Sequence, residues 1–207
     1  MDMARMFRDQ MAENRFAELA EWENYYKGNF GPASLPSTNN NAIAREYNDL
    51  LQRADLPICS LIVNAVTERL QVVGFRDADN EQTDDRMWSW FQDSKLDGRQ
   101  VLLYNDALIF GDAFLSVTPG GDVPVYRVES PMNMVAKCDP QDPMRVMNAA
   151  KQVGHYGWYY DDVYIWSLYY NQTQPSGWEV VDVIEHNAGT CPIVRFANRV
   201  DSRGRSM

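Results

Sequence analysis

VLLYNDALIFGDAFLSVTPGGDVPVYRVE, residues 101–129, changes its hydrophobic period half-way along. Residues 101–110 are apolar almost all round, which suits a helix buried between layers, and Gly111 supplies the stop. Beyond it Ala113, Leu115 and Val117 alternate with Phe114, Ser116 and Thr118, the period-two pattern of a strand. Pro119-Gly120-Gly121-Asp122 then turns the chain into Val123–Glu129, so a β-hairpin is expected. A helical half therefore gives way to a strand-rich half at residue 111, and the fold class is α+β.

Upstream of this junction, Ala12, Phe16, Leu19, Trp22 and Tyr26 recur at steps of three and four, predicting one helix that Gly28 ends. From Asn29 to Asn41 Gly, Pro, Ser, Thr and Asn predominate, the chemistry of an irregular loop. Pro57 then suits a first helical turn, and Ile58, Leu61, Ile62, Ala65, Val66 and Leu70 continue with helical spacing. Val72-Val73-Gly74-Phe75 reads as a short strand. Residues 76–97 carry seven acidic against three basic side chains around Met87, Trp88, Trp90 and Phe91, a solvated helix pinned by aromatics. The helices at 57–70 and 101–110 are expected to form the core, so Leu61→Asp should abolish soluble folding and Asp84→Ala should not.

Downstream, strands are expected near 132–138, 144–153, 156–170 and 178–186, punctuated by Asp-Pro, Gly and Pro-Ser-Gly. The last stretch begins apolar at Pro192-Ile193-Val194 and then places Arg195, Arg199 and Arg203 four apart, with Arg205 beyond. This basic cluster is suited to salt bridges with solvent-facing or neighbouring subunit groups, or to phosphate.

Composition narrows the chemistry. The 207 residues are 45% hydrophobic and 12% aromatic, enough for one sizeable core or two small ones. No apolar run approaches the roughly 20 residues that cross a bilayer, and Met1–Gln10 does not resemble a signal peptide, so synthesis in a cytoplasm is expected. A net charge of −10 opposes gripping nucleic acid, whose affinity comes from clustered Lys and Arg, but suits a surface past which DNA slides. Cys59, Cys138 and Cys191 form no CxxC pair and read as buried free thiols.

Catalytic signatures are missing from the sequence. There is no GxSxG elbow and no GxxxxGK[ST] loop, and His155 and His186 lack a Ser or Cys nucleophile in a recognisable context. Asp84-Asp85 and Asp161-Asp162 read as solvated pairs rather than a cation or nuclease site. The aromatic run Trp158-Tyr159-Tyr160 with Tyr164, Trp166, Tyr169 and Tyr170 could stack bases, but its neighbours Asp161 and Asp162 are acidic, which favours sheet core or a subunit interface. No cofactor and no metal is expected.

Four segments, in order, resemble the portal proteins of long-tailed bacteriophages. Tyr25-Tyr26-Lys27-Gly28 is similar to a helix-ending pattern of that family. Asn64-Ala65-Val66-Thr67-Glu68-Arg69-Leu70, followed by Val73-Gly74-Phe75, resembles its Asn/Asp-Ala-Val-x-Glu-Arg-Leu helix and the Gly-Phe strand behind it. The stretch from Asp106 to Phe114, with Gly111-Asp112 at its centre, looks like the buried helix that ends in Gly-Asp before a strand, and Pro192–Arg199, with Asn198-Arg199, looks like its proline-led Asn-Arg stretch. Family members are usually more than twice as long. The resemblance implies a wing-like single domain over 1–207, helical to 111, strand-rich over 112–190, with 191–207 beginning the connection to a stem. It further implies a non-enzymatic ring of twelve subunits at a capsid vertex, made in the host cytoplasm and built into the virion. Terminase, head-tail connector and capsid or scaffold proteins would be its partners, with viral DNA passing through without sequence-specific binding. Another head-tail adaptor or oligomerisation module is the alternative.

Overall fold

The computed structural model describes residues 2–29, 58–76, 83–121, 123–186 and 188–198. Within them five helices precede eight strands, the expected α+β order. The helices are α1 (Met3–Met11), α2 (Phe16–Lys27), α3 (Ile58–Thr67), α4 (Asp85–Asp93) and α5 (Leu96–Phe110). The strands are β1 (Asp112–Pro119), β2 (Pro124–Glu129), β3 (Met134–Cys138), β4 (Val146–Val153), β5 (Tyr156–Tyr160), β6 (Tyr164–Tyr170), β7 (Trp178–Glu185) and β8 (Ile193–Ala197). They form two antiparallel sheets, β2-β1-β8 and β3-β4-β5-β6-β7.

The hairpin pairs as read, with Phe114 opposite Glu129 and Pro119 opposite Pro124. Gly111 ends α5 in the left-handed region at φ 79°, which a β-carbon would disfavour, and so lets the chain enter β1 without a loop. The expected 156–170 strand is two strands. Asp161 breaks it by accepting hydrogen bonds from the backbone N–H groups of Val163 and Tyr164, an Asx turn that reverses the chain, and its second oxygen accepts from Trp166 Nε1 at 3.3 Å. The strand-rich region also runs past 190: β8 pairs with β1, Ala113 opposite Phe196 and Ser116 opposite Ile193. Val72–Phe75 joins no sheet; only the isolated bridge Arg76–Thr83 follows it.

At the N-terminus the single helix expected from Ala12 is two. Asp2 caps α1 by accepting from the Arg5 N–H at 3.2 Å. Tightened turns carry Glu13 N–H to Gln10 C=O and Asn14 N–H to Met11 C=O before α2 begins. The break lets each helix face a different layer. In α1, Met3, Ala4, Phe7 and Met11 pack on Ala150, Tyr159, Leu168 and Trp178 of the five-stranded sheet, with Phe7 fully buried. Each such large apolar side chain contributes about 1.5–3 kcal/mol. Gly157 makes the approach possible, since a β-carbon there would lie 2.5 Å from Phe7 Cζ.

The core corresponds only in part to the expected one. The opposite face of the five-stranded sheet packs Ala149, Tyr160 and Ile165 against Phe114 and Ile193 of the three-stranded sheet. A third cluster joins Phe91, Leu96 and Leu115, with Phe75, Trp88 and Tyr126 against it. In α5, Leu103 and Phe110 are buried but Leu102 is exposed, so the helix covers the β2-β1-β8 sheet with one face only. In α3, Ile58, Leu61, Ile62 and Val66 are exposed, Leu61 by 69%, and Thr67 is the buried residue. The α3 helix is thus not a core helix of the described fold, and the expectation that Leu61→Asp abolishes folding is withdrawn. The thiols differ likewise: Cys191 is buried and Cys138 half-buried, but Cys59 is exposed on α3.

Candidate functional site

Three of the four motif segments meet at the corner where α2, α3 and α5 pack together, and the fourth arrives beside them. Gly28 closes α2 at φ 75°, and two residues earlier the Tyr26 hydroxyl donates to Asn64 Oδ1 of α3 at 3.2 Å. The Asn64 carbonyl accepts from the Glu68 N–H at 3.0 Å and the Thr67 hydroxyl at 3.2 Å, closing the end of α3. Arg69 lies in the turn that follows, and Gly74 in the unpaired stretch before Phe75. Val72 N–H donates to Gln100 Oε1 at 2.8 Å, and the Gln100 amide donates to the Asp97 carbonyl, so a buried glutamine fastens that stretch to α5.

The final segment enters through β8. Pro192 C=O accepts from Val117 N–H at 2.8 Å, and Asn198 N–H donates to the Gly111 carbonyl at 2.9 Å. Between these points the Arg195 side chain is only 6% exposed. Its Nε donates to Asp112 Oδ1 at 2.8 Å and its Nη1 to the Pro143 carbonyl at 2.8 Å, while Arg15 Nη2 lies 3.8 Å from Asp112 Oδ2. The reading of Arg195 as an interface or phosphate contact is corrected by this geometry, because the guanidinium is enclosed within its own fold. Arg199, Arg203 and Arg205 lie outside the described residues, as do Pro57 and the expected loop beyond Asn29.

A groove of about 320 Å³ opens at this corner, lined by Trp22, Tyr25, Tyr26, Cys59, Val63 and Leu108 and reaching Gly111. Its walls are chiefly apolar. Nearby on α5 the Asp106 carboxyl is pushed up to about 6, first by burial and second by the Glu23 carboxylate across from it on α2. Glu23 in turn pairs with Lys27 at 2.7 Å. Among the described residues the corner offers an apolar seat, with no acid or base in its lining.

The remaining chemical candidates are spent on structure. Asp84 caps α4 by accepting from Met87 N–H at 3.0 Å, and Asp161 builds the β5–β6 turn. His186 is buried with Nε2 3.1 Å from the Asp161 carbonyl, and His155 sits in the β4–β5 turn beside Tyr169 and Tyr170. Tyr159 and Tyr160 are core residues, whereas Tyr156 and Tyr169 stack edge to face on the exposed part of the sheet. Missed by sequence reasoning was a second link between the sheets: Lys151 of β4 pairs with Glu129 of β2 at 2.7 Å, and Glu129 also accepts from Ser116 Oγ at 2.9 Å. A lone acidic residue in an apolar strand was its one sequence signal.

Residues 9–204 match the family model described as Phage portal protein, SPP1 Gp6-like. The chain belongs to this portal family. Among curated proteins it is 29% identical over 204 residues to the portal protein of Mycobacterium phage L5, covering 90% of this chain and 40% of that protein. To the portal protein of Mycobacterium phage D29 it is 28% identical over 212 residues, covering 93% of this chain and 41% of that protein. This portal-family chain therefore spans about two fifths of the length of the curated relatives it matches. The family match takes in every described helix except the first part of α1, and both sheets.

Proposed function

We propose that this chain is the wing portion of a portal ring subunit, lying at a capsid vertex of a bacteriophage virion and containing no catalytic centre. The observation that carries the reading is the family match across residues 9–204. Two physical features support it. A net charge of −10 disfavours a tight grip on DNA, as a conduit requires, and Arg195 of the basic cluster is neutralised internally. The rest of the subunit, its stem and clip, would follow the β8 strand, and residues 1–207 form a single α+β domain on the outside of the ring.

On this reading head-to-tail contacts between identical subunits close the ring, the terminase and connector dock on it, capsid or scaffold proteins surround it, and viral DNA passes through. The test is the native mass of the longer protein, with negative-stain images. Closed rings of about twelve subunits are expected. A longer protein that stays monomeric at micromolar concentration, or assembles only into open filaments, would overturn the reading.

A further inference from the structure

We propose that α1 is an exchangeable arm: in the assembled ring it leaves its own five-stranded sheet and covers the same sheet of the next subunit. This inference rests on the ring reading above, which supplies the neighbour. It starts from the break between α1 and α2. Residues 12–15 separate the two helices, yet nothing in them stops a helix. Residues 10–16 include no Gly or Pro, and Ala12, Phe16, Leu19, Trp22 and Tyr26 keep helical spacing straight across the break. The bend is therefore made by packing at a distance: α1 is drawn to β3, β4, β5 and β7, and α2 to α3 and α5. It leaves an orphan. The Asn14 Oδ1 and Nδ2 atoms are buried at the bend without a hydrogen-bond partner among the described residues, a desolvation cost that opening the bend relieves.

Straightened from Met3 to Lys27, the pair would form one rod roughly 37 Å long at about 1.5 Å per residue, carrying α1 away from its own sheet. Its seat exists on every copy. Phe7 packs over Gly157 with Met3, Ala4 and Met11 beside it, and the Gln10 amide donates to the Val135 carbonyl at 3.0 Å and the Asn148 carbonyl at 3.5 Å. Each contact joins α1 to the five-stranded sheet, so exchange between identical subunits keeps all of them. Only the hinge changes. Glu13 pairs with Lys137 at 3.2 Å and Arg15 lies 3.8 Å from Asp112, contacts through exposed hinge side chains that hold the bend weakly. Short hinges that are unfavourable when closed are those through which identical elements swap. In a dilute subunit the tether favours the home sheet. In a ring the neighbour's sheet is held at a comparable local concentration, and the hinge decides. Each subunit is then fastened to the next by a side chain as deeply buried as Phe7.

The test uses the longer protein with Cys59→Ser, Met6→Cys and Met147→Cys. Met6 of α1 and Met147 of β4 line one cavity of about 400 Å³, and Met147 is exposed, so a short bismaleimide joins cysteines placed there when α1 is seated, on either chain. Rings are assembled from equal amounts of light and heavy-isotope-labelled subunits, cross-linked and digested, and the peptides linking residues 6 and 147 are weighed by mass spectrometry. We expect about half of them to join the two isotopes. Rings whose linked peptides are all, or nearly all, of one isotope would overturn the proposal and leave the portal reading intact. A longer protein that never forms rings overturns both. Two glycines inserted after Asn14 lengthen the hinge and disfavour a straight helix, and should lower the mixed share at least about five-fold. A share still near half in that variant overturns the straightened hinge as the device.

Discussion

Asp106 shows how one carboxyl can work against the fold that holds it. Its pKa stands at about 6 in the folded chain, against 3.8 in the ordinary case, so the folded state binds the proton more tightly than the unfolded one. Stability from this group is therefore full below about pH 4 and is lost as pH rises through 6. Allowing for partial solvent access, Asp106→Asn should stabilise the chain by about 1–2 kcal/mol at pH 7 and flatten the pH dependence between 4 and 6. Urea midpoints across that range would check both. Arg195 works in the opposite sense. Arg195→Leu leaves the Asp112 carboxylate buried without its short hydrogen bond and should cost about 3–5 kcal/mol, read from the same midpoints. Neither role was legible. Asp106 sits in an apolar helix where sequence shows no Glu23, and the four-residue spacing of Arg195, Arg199 and Arg203 drew attention from Ile193-Val194, the β-branched pair that marks a strand.

Elements were legible where local chemistry decides them and obscure where distant packing does. Pro119-Gly120-Gly121 between alternating runs announces the β1–β2 hairpin, and Gly28 and Gly111 announce helix ends, all of which the fold contains. The β5–β6 turn was hidden because Trp158 to Tyr170 is aromatic on both sides of Asp161-Asp162. The α1 helix was hidden too, its stripe of Met3, Phe7 and Met11 being short and interrupted by charges. Its place depends on a contact far away in sequence. Gly157→Ala should push Phe7 off the sheet and cost about 1–3 kcal/mol, seen as a lowered thermal midpoint that Phe7→Leu partly restores. At α4 the loss is of a cap alone. Asp84→Ala should cost about 1 kcal/mol and leave the chain folded by circular dichroism.

For the molecule as a whole, α+β class and helix-before-strand order followed from the change of period at residue 111, whereas the division into two sheets did not, because pairing partners leave no mark on one sequence. The exposed face of α3 is the sharpest such case: its periodicity is that of a core helix, and what it lacks is a partner among the described residues. Leu61→Asp in the 207-residue chain should accordingly shift stability by no more than about 0.5 kcal/mol, measured by thermal melt. The docking of α1 on the far sheet bears on synthesis. Gln10 donates to the Val135 carbonyl, 125 residues away, and Phe7 meets Trp178 some 170 residues on. At roughly 5–20 residues per second, α1 waits on the order of ten seconds or more after its own synthesis before the strands it covers exist. Through that wait its apolar stripe is open to a nascent-chain chaperone, and α1 finds its full seat only when β7, almost the last described strand, has emerged.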